Sequence, residues 1–154
     1  MPNDTRLANE AWEALFRAQS TIEQELHTAA VWDELQPNEY GVLYELSKTP
    51  EGRRLKDLQS DVLLSQAGVS RLVNRLEAAG LVARSADGTD RRASVLTLTA
   101  KGREVQRKIG RQHARRVTAQ LTSRLDSTQL AQLRDLCLKM LPSVGDQEDV
   151  PAES

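Results

Sequence analysis

Apolar residues recur along the chain in runs whose period changes, and the changes mark the elements. From Thr5 to Ala30, Ala8, Trp12, Leu15, Ile22, Leu26 and Ala29 fall at helical spacing, one stripe of a long amphipathic helix. The segment from Asp33 to Pro37 interrupts it, and Pro37, whose fixed φ suits a first helical turn, opens a second helix carrying Tyr40, Val42, Leu43 and Leu46. That helix stops near Thr49-Pro50-Glu51-Gly52, a turn by composition. Leu55 to Val62 forms a short helix with Leu55, Leu58 and Val62 inward. Ser65 can cap the next one, which buries Val69, Leu72, Val73 and Leu76 and ends at Gly80. Extended segments follow. Leu81 to Arg84 reads as one strand, and Ala93 to Leu98 contains a second, with Val95, Leu96 and Leu98 as its apolar members. The Asp87-Gly88 pair between them is a hairpin signal, in a loop too long for a two-residue turn and so expected to project. Thr99 can cap a helix from Ala100 to about Leu125, with Val105, Ile109, Val117, Leu121 and Leu125 apolar. Asp126 or Ser127 can cap a last helix with Leu130, Leu133, Leu136, Cys137, Met140 and Leu141 on one side.

This order predicts a mainly α fold, α-α-α-α-β-β-α-α, with room for a short extra strand before the third helix. The two helices at Leu55–Val62 and Ser65–Ala79 are separated by only a few residues, the helix-turn-helix arrangement, and the hairpin after them makes it a winged variant. Residues 35–100 are the expected winged helix-turn-helix lobe. Residues 1–34 and 101–142 are the expected helical dimerisation region, because their apolar stripes are too long for such a lobe to cover and a second copy is the natural cover. Residues 143–154, small, polar and acidic, form an expected disordered tail.

Composition narrows the function classes. Aromatics make up only 3% of the chain, so the core must be aliphatic. No apolar run approaches the roughly 18 residues of a membrane span, the start of the chain lacks the apolar block of a signal peptide, and the single Cys137 allows no intrachain disulfide. A cytoplasmic protein is the expectation. The net charge of -1 conceals segregation. Residues 1–64 carry 6 Lys/Arg against 12 Asp/Glu, residues 65–125 carry 13 against 4, and residues 126–154 carry 2 against 6. A basic middle between acidic flanks suits a surface that meets a polyanion.

The helix opening at Ser65 has the chemistry for it. Away from its apolar side it offers Ser65, Gln66, Ala67, Gly68, Ser70, Arg71, Asn74 and Arg75. Arginine can hydrogen-bond guanine O6 and N7 together, and Asn or Gln can do the same on adenine N6 and N7. Ser65, Gln66 and Ser70 lie near the N-terminus, where phosphate is favoured. Gly68 inside the helix costs roughly 1 kcal/mol relative to Ala, a cost that either close approach to DNA or simple tolerance accounts for. The hairpin adds Arg84, Arg91 and Arg92, with Asp90 placed to orient an arginine.

Leu72-Val73-Asn74-Arg75-Leu76-Glu77-Ala78-Ala79-Gly80-Leu81-Val82, then Asp90-Arg91-Arg92, then Leu98-Thr99-Ala100-Lys101-Gly102, resembles the MarR (multiple antibiotic resistance regulator) family of bacterial transcription regulators. The resemblance runs from about residue 5 to 142. It implies a homodimer whose first and last two helices form the interface. It also implies a palindromic operator in double-stranded DNA, usually repressed, with release on binding a small aromatic acid or phenolic effector. In the family's Asp-x-Arg wing motif the arginine enters the minor groove. That role falls on Arg92, the orienting role on Asp90, and Arg91 stays open.

Such effectors sit between the dimer helices and the lobe, where the candidate lining residues are Trp12, Phe16, Tyr40, Tyr44 and His113; ordinary core packing is the competing reading of each. Cys137, on an apolar side, reads first as a small hydrophobe and second as a redox sensor. His27, His113 and Cys137 are too dispersed for a metal site, and no cofactor is expected. No phosphate loop, nucleophile–base pair or paired acid set marks an enzyme. A winged-helix module that binds protein instead of DNA remains the alternative.

Overall fold

The computed structural model describes residues 2–28, 35–62, 66–86, 88 and 93–142. Among these residues, six helices and three strands follow in the order α1 (Pro2–His27), α2 (Pro37–Ser47), β1 (Arg53–Arg54), α3 (Leu55–Val62), α4 (Gln66–Ala78), β2 (Val82–Ala86), β3 (Ser94–Leu98), α5 (Ala100–Thr122) and α6 (Ser127–Met140). The expected order holds, and the short extra strand before the third helix is present. No helix among the described residues is long and apolar enough to cross a membrane.

The strands form one antiparallel sheet in the order β1-β3-β2. Arg53 and Arg54 pair with Leu96 and Val95, and β2 pairs with β3 from Val82↔Leu98 to Ala86↔Ser94. Alternation on β3 sends Leu96 and Leu98 inward. The core beneath is wholly aliphatic: Val42, Leu43 and Leu46 from α2, Leu58 from α3, Val69, Leu72, Val73 and Leu76 from α4, and Leu81, Val82, Leu96 and Leu98. Gly52 enters β1 at φ 96°, where an added Cβ would lie 2.5 Å from Val95 Cγ1 and 2.9 Å from the Leu96 carbonyl oxygen. Only glycine meets both demands.

The helix ends follow local chemistry. Pro37 opens α2, and the Glu39 carboxylate accepts the Gln36 N–H at 2.9 Å. At the end of α4, Gly80 (φ 75°) donates to Glu77 O and Leu81 donates to Leu76 O, both at 2.9 Å, a Schellman termination. Thr99 caps α5, its hydroxyl oxygen accepting from Gly102 N–H at 3.0 Å. Asp126 caps α6 by accepting from Gln129 N–H at 2.9 Å, while Gln129 Oε1 accepts from Asp126 N–H at 3.0 Å. The Ser65 cap lies outside the described residues.

Two compact units divide the chain, Met1–Arg116 and Val117–Ser154. In the second, α6 leaves Leu133, Leu136, Leu138 and Met140 exposed. In the first, α1 leaves Leu7, Trp12 and Phe16 exposed, with the two rings 6.3 Å apart.

Candidate nucleic-acid interface

Helical geometry sorts the side chains of α4 into sectors. Val69, Leu72, Val73 and Leu76 point into the core. At 3.6 residues per turn, Ala67, Arg71, Asn74 and Ala78 lie on the side directly opposite, and all four are exposed. Gly68 and Arg75 fall on one flank, Ser70 and Glu77 on the other. Small residues at the ends of the outward stripe leave Arg71 and Asn74 as its reach.

The flanks hold fixed partners. Arg75 Nη2 is 3.1 Å from Glu39 Oε1, and Glu39 is buried, 7% exposed. One carboxylate therefore caps the start of α2 and tethers the flank of α4. On the other flank, Arg84 from β2 reaches back across α4. Its Nε donates to Glu77 Oε2 at 3.0 Å and its Nη2 donates to Asn74 Oδ1 at 3.0 Å. The hairpin's first arginine is thus bound to the helix it follows. Arg71 makes no ion pair or side-chain hydrogen bond among the described residues, and its charge faces outward.

Of the other sequence-predicted contacts, Ala67 is exposed, and Gly68 and Ser70 are half-buried. Gln66 opens α4. Ser65, Asp90, Arg91 and Arg92, and the side chain of Gln66, lie outside the described residues. The strands that carry the wing end at Ala86 and begin again at Ser94, so the loop expected to project lies between them.

The end of α4 is joined to α5 by the Leu98-Thr99-Ala100-Lys101-Gly102 run. Thr99 N–H donates to Leu81 O at 3.1 Å and its hydroxyl donates to Gly80 O at 2.6 Å. Lys101 Nζ donates to Ala79 O at 3.0 Å, and Arg103 Nη1 to Leu98 O at 2.9 Å. Gly102 is buried, and an added Cβ would fall on the Leu81 carbonyl oxygen. The motif is a joint in which Leu98, Thr99, Lys101 and Gly102 each make a contact.

A separate cleft of about 560 Å³ lies between the second half of α1, the start of α2 and α5, lined by Gln19, Glu23, His27, Tyr40, Tyr44 and His113 among others. Tyr40 has its ring centroid 6.2 Å from Tyr44 and 5.6 Å from His113. Burial pushes the Tyr40 phenol above its ordinary pKa, opposed by a hydrogen bond with Gln106. Burial pushes the His113 imidazole below its ordinary value, which favours its neutral form. Three of the five candidate lining residues are brought together here. Trp12 and Phe16 do not line the cleft; they stand exposed on α1, 64% and 57%. Gln19, Glu23 and Asn38 were not singled out from the sequence, because polar residues on an amphipathic helix carry no mark of a concave neighbour. Cys137 is a partly buried free thiol on α6.

Comparison with known proteins agrees with this geometry. The model of the MarR family matches residues 34–93, from before α2 to the start of β3. The HTH-type transcriptional regulator MhqR of Bacillus subtilis (strain 168) is 28% identical over 131 residues, 85% of this chain and 86% of its own length. Sco3205, a MarR family transcriptional regulator from Streptomyces coelicolor whose structure is in complex with DNA, is 25% identical with a TM-score of 0.74, over 90% of each chain. PcaV, a transcriptional regulator from the same organism solved with its natural ligand, is 26% identical with a TM-score of 0.66, over 85% of this chain and 89% of that one. With its helix order and its small antiparallel sheet, the chain has the winged-helix fold of these MarR family transcription regulators and is similar to them in sequence over most of its length.

Proposed function

We propose that the protein is a homodimeric repressor that reads a palindromic operator and is released by a small planar effector. The observation that carries the reading is the outward stripe of α4, where Arg71 and Asn74 stand exposed between tethered flanks. Arg71 is the principal base reader, suited to guanine O6 and N7. Arg92, oriented by Asp90, enters the minor groove, and Arg91, Ser65, Gln66 and Ser70 meet phosphate. The relative Sco3205, solved with DNA, supports the DNA-binding part of this reading.

The apolar side chains exposed on α1 and on α6 support a second copy as partner. Two lobes related by a two-fold axis read half-sites about one helical turn apart. The effector site is the cleft at Tyr40, Tyr44 and His113, a reading supported by PcaV, solved with its natural ligand. Its described lining includes Glu23 and His27 but neither lysine nor arginine, which favours a neutral phenolic ring over a carboxylate.

Selection of bound sites from random duplexes with the purified protein tests the reading. The expected product is an inverted repeat with half-site centres about 10 base pairs apart. Recovery of no motif at low salt would overturn sequence-specific DNA binding and favour a protein-binding module.

A further inference from the structure

We infer that Arg84 is a positioning residue that fixes the hydrogen-bonding polarity of Asn74, so that Asn74 meets DNA as a donor and reads guanine in preference to adenine. The inference rests on the DNA-binding reading above and concerns which base one side chain selects.

A guanidinium has donors only, so the amide atom 3.0 Å from Arg84 Nη2 must be the oxygen. The same guanidinium donates through Nε to the Glu77 carboxylate at 3.0 Å, a charge-assisted bond that keeps the planar group from swivelling away. Asn74 and Glu77 are one turn apart on α4, and the Arg84 side chain lies against their flank, 30% of it exposed. The hairpin strand therefore holds the Asn74 amide by its oxygen.

Adenine recognition by asparagine requires oxygen and nitrogen side by side, the oxygen accepting from N6 and the nitrogen donating to N7. With the oxygen drawn toward the hairpin, the nitrogen is the part turned to the groove. Two N–H donors on the exposed side of α4 match an edge of acceptors. Guanine offers two, N7 and O6. Adenine sets a donor beside its N7, cytosine presents a donor, and thymine has one acceptor next to a methyl group. Guanine is thus the favoured base, and the arginine that enforces the choice never touches it.

The test is site selection with the full chain, repeated for Asn74→Ala, Arg84→Ala and Glu77→Gln, with a melting curve for each variant. Asn74→Ala is expected to flatten one position per half-site, and that position is guanine in the wild-type motif. Replacing that guanine with 7-deazaguanine lowers wild-type affinity several-fold and leaves Asn74→Ala unaffected. Arg84→Ala frees the amide to rotate and moves the preference at that position toward adenine, with the other positions unchanged. Glu77→Gln, which loosens only the hold on the guanidinium, moves it in the same direction to a smaller extent and keeps the proposal testable if Arg84→Ala does not fold. A wild-type adenine at the position flattened by Asn74→Ala overturns the inference. So does an Arg84→Ala or Glu77→Gln protein that binds every site more weakly with the preference unmoved. A wild type that selects no motif overturns the DNA-binding reading itself, a separate outcome.

Discussion

Arg71 and Arg75 lie about one turn apart on α4, yet their surroundings give them different work. Arg71 faces outward with its charge uncommitted, whereas Arg75 is held 3.1 Å from a buried Glu39. Arg71→Ala is therefore expected to weaken operator binding by about 1–3 kcal/mol, roughly tenfold to a hundredfold, with little change in melting temperature. Arg75→Ala does the reverse, losing melting temperature because the buried Glu39 carboxylate keeps its bond from Gln36 N–H but loses its cation, and changing affinity by less. Anisotropy titrations and thermal denaturation of the two variants, side by side, separate them; equal effects on affinity would remove the distinction. The sequence offered both arginines on the outward side of the helix and favoured Arg71 as a reader, but gave no sign of what holds Arg75. Caps such as Thr99 and Asp126 were legible because a cap is chosen by the residues within one turn of it. The partners of Arg75 and Asn74 come from α2 and β2, and no local pattern records which distant side chain a fold will bring within 3 Å.

At the scale of elements, periodicity and breakers located every helix, since a stripe of aliphatic residues and a terminating Gly80 are local signals. Boundaries moved by a few residues: α1 ends at His27, and α5 ends at Thr122 where a run to about Leu125 was expected. β1 is two residues long, too short to show alternation, and exists because β3 offers it a free edge. The run from Leu98 to Gly102 was legible as a family motif and a cap, but its purpose needed the fold. The glycine is there because α5 starts against the Leu81 carbonyl oxygen. Gly102→Ala is expected to cost about 2–3 kcal/mol, the upper part of the range for overpacking, since backbone and not a pliable side chain must give way. Gly80→Ala, with open space around its Cβ, costs about 1 kcal/mol from its positive φ alone. Chemical denaturation of both variants checks the order, and an equal or reversed ranking would show that the close approach is relieved by movement of α5.

At the scale of the whole molecule, large apolar side chains on α1 and α6 remain exposed: Trp12, Phe16, Leu136, Leu138 and Met140 are each 57–64% exposed. A stable monomer rarely leaves so much apolar surface in water. Phe16→Glu is expected to shift the proposed dimer to monomer, measured by light scattering across a concentration series, and to weaken binding to the proposed two-half-site operator because each half-site is then bound alone. A dimer unaffected by the substitution would move the interface away from α1. The joint between α4 and α5 has a mechanical consequence for such an assembly. Thr99 and Lys101 bolt the start of α5 to residues 79–81, with Gly102 packed flush and no slack segment between. His113 lies roughly 20 Å farther along the same helix, by the rise of 1.5 Å per residue. The shaft from His113 to Thr99 is thus a lever arm welded to the reading head: a tilt imposed at the cleft swings the exposed edge of α4 instead of being absorbed by a hinge.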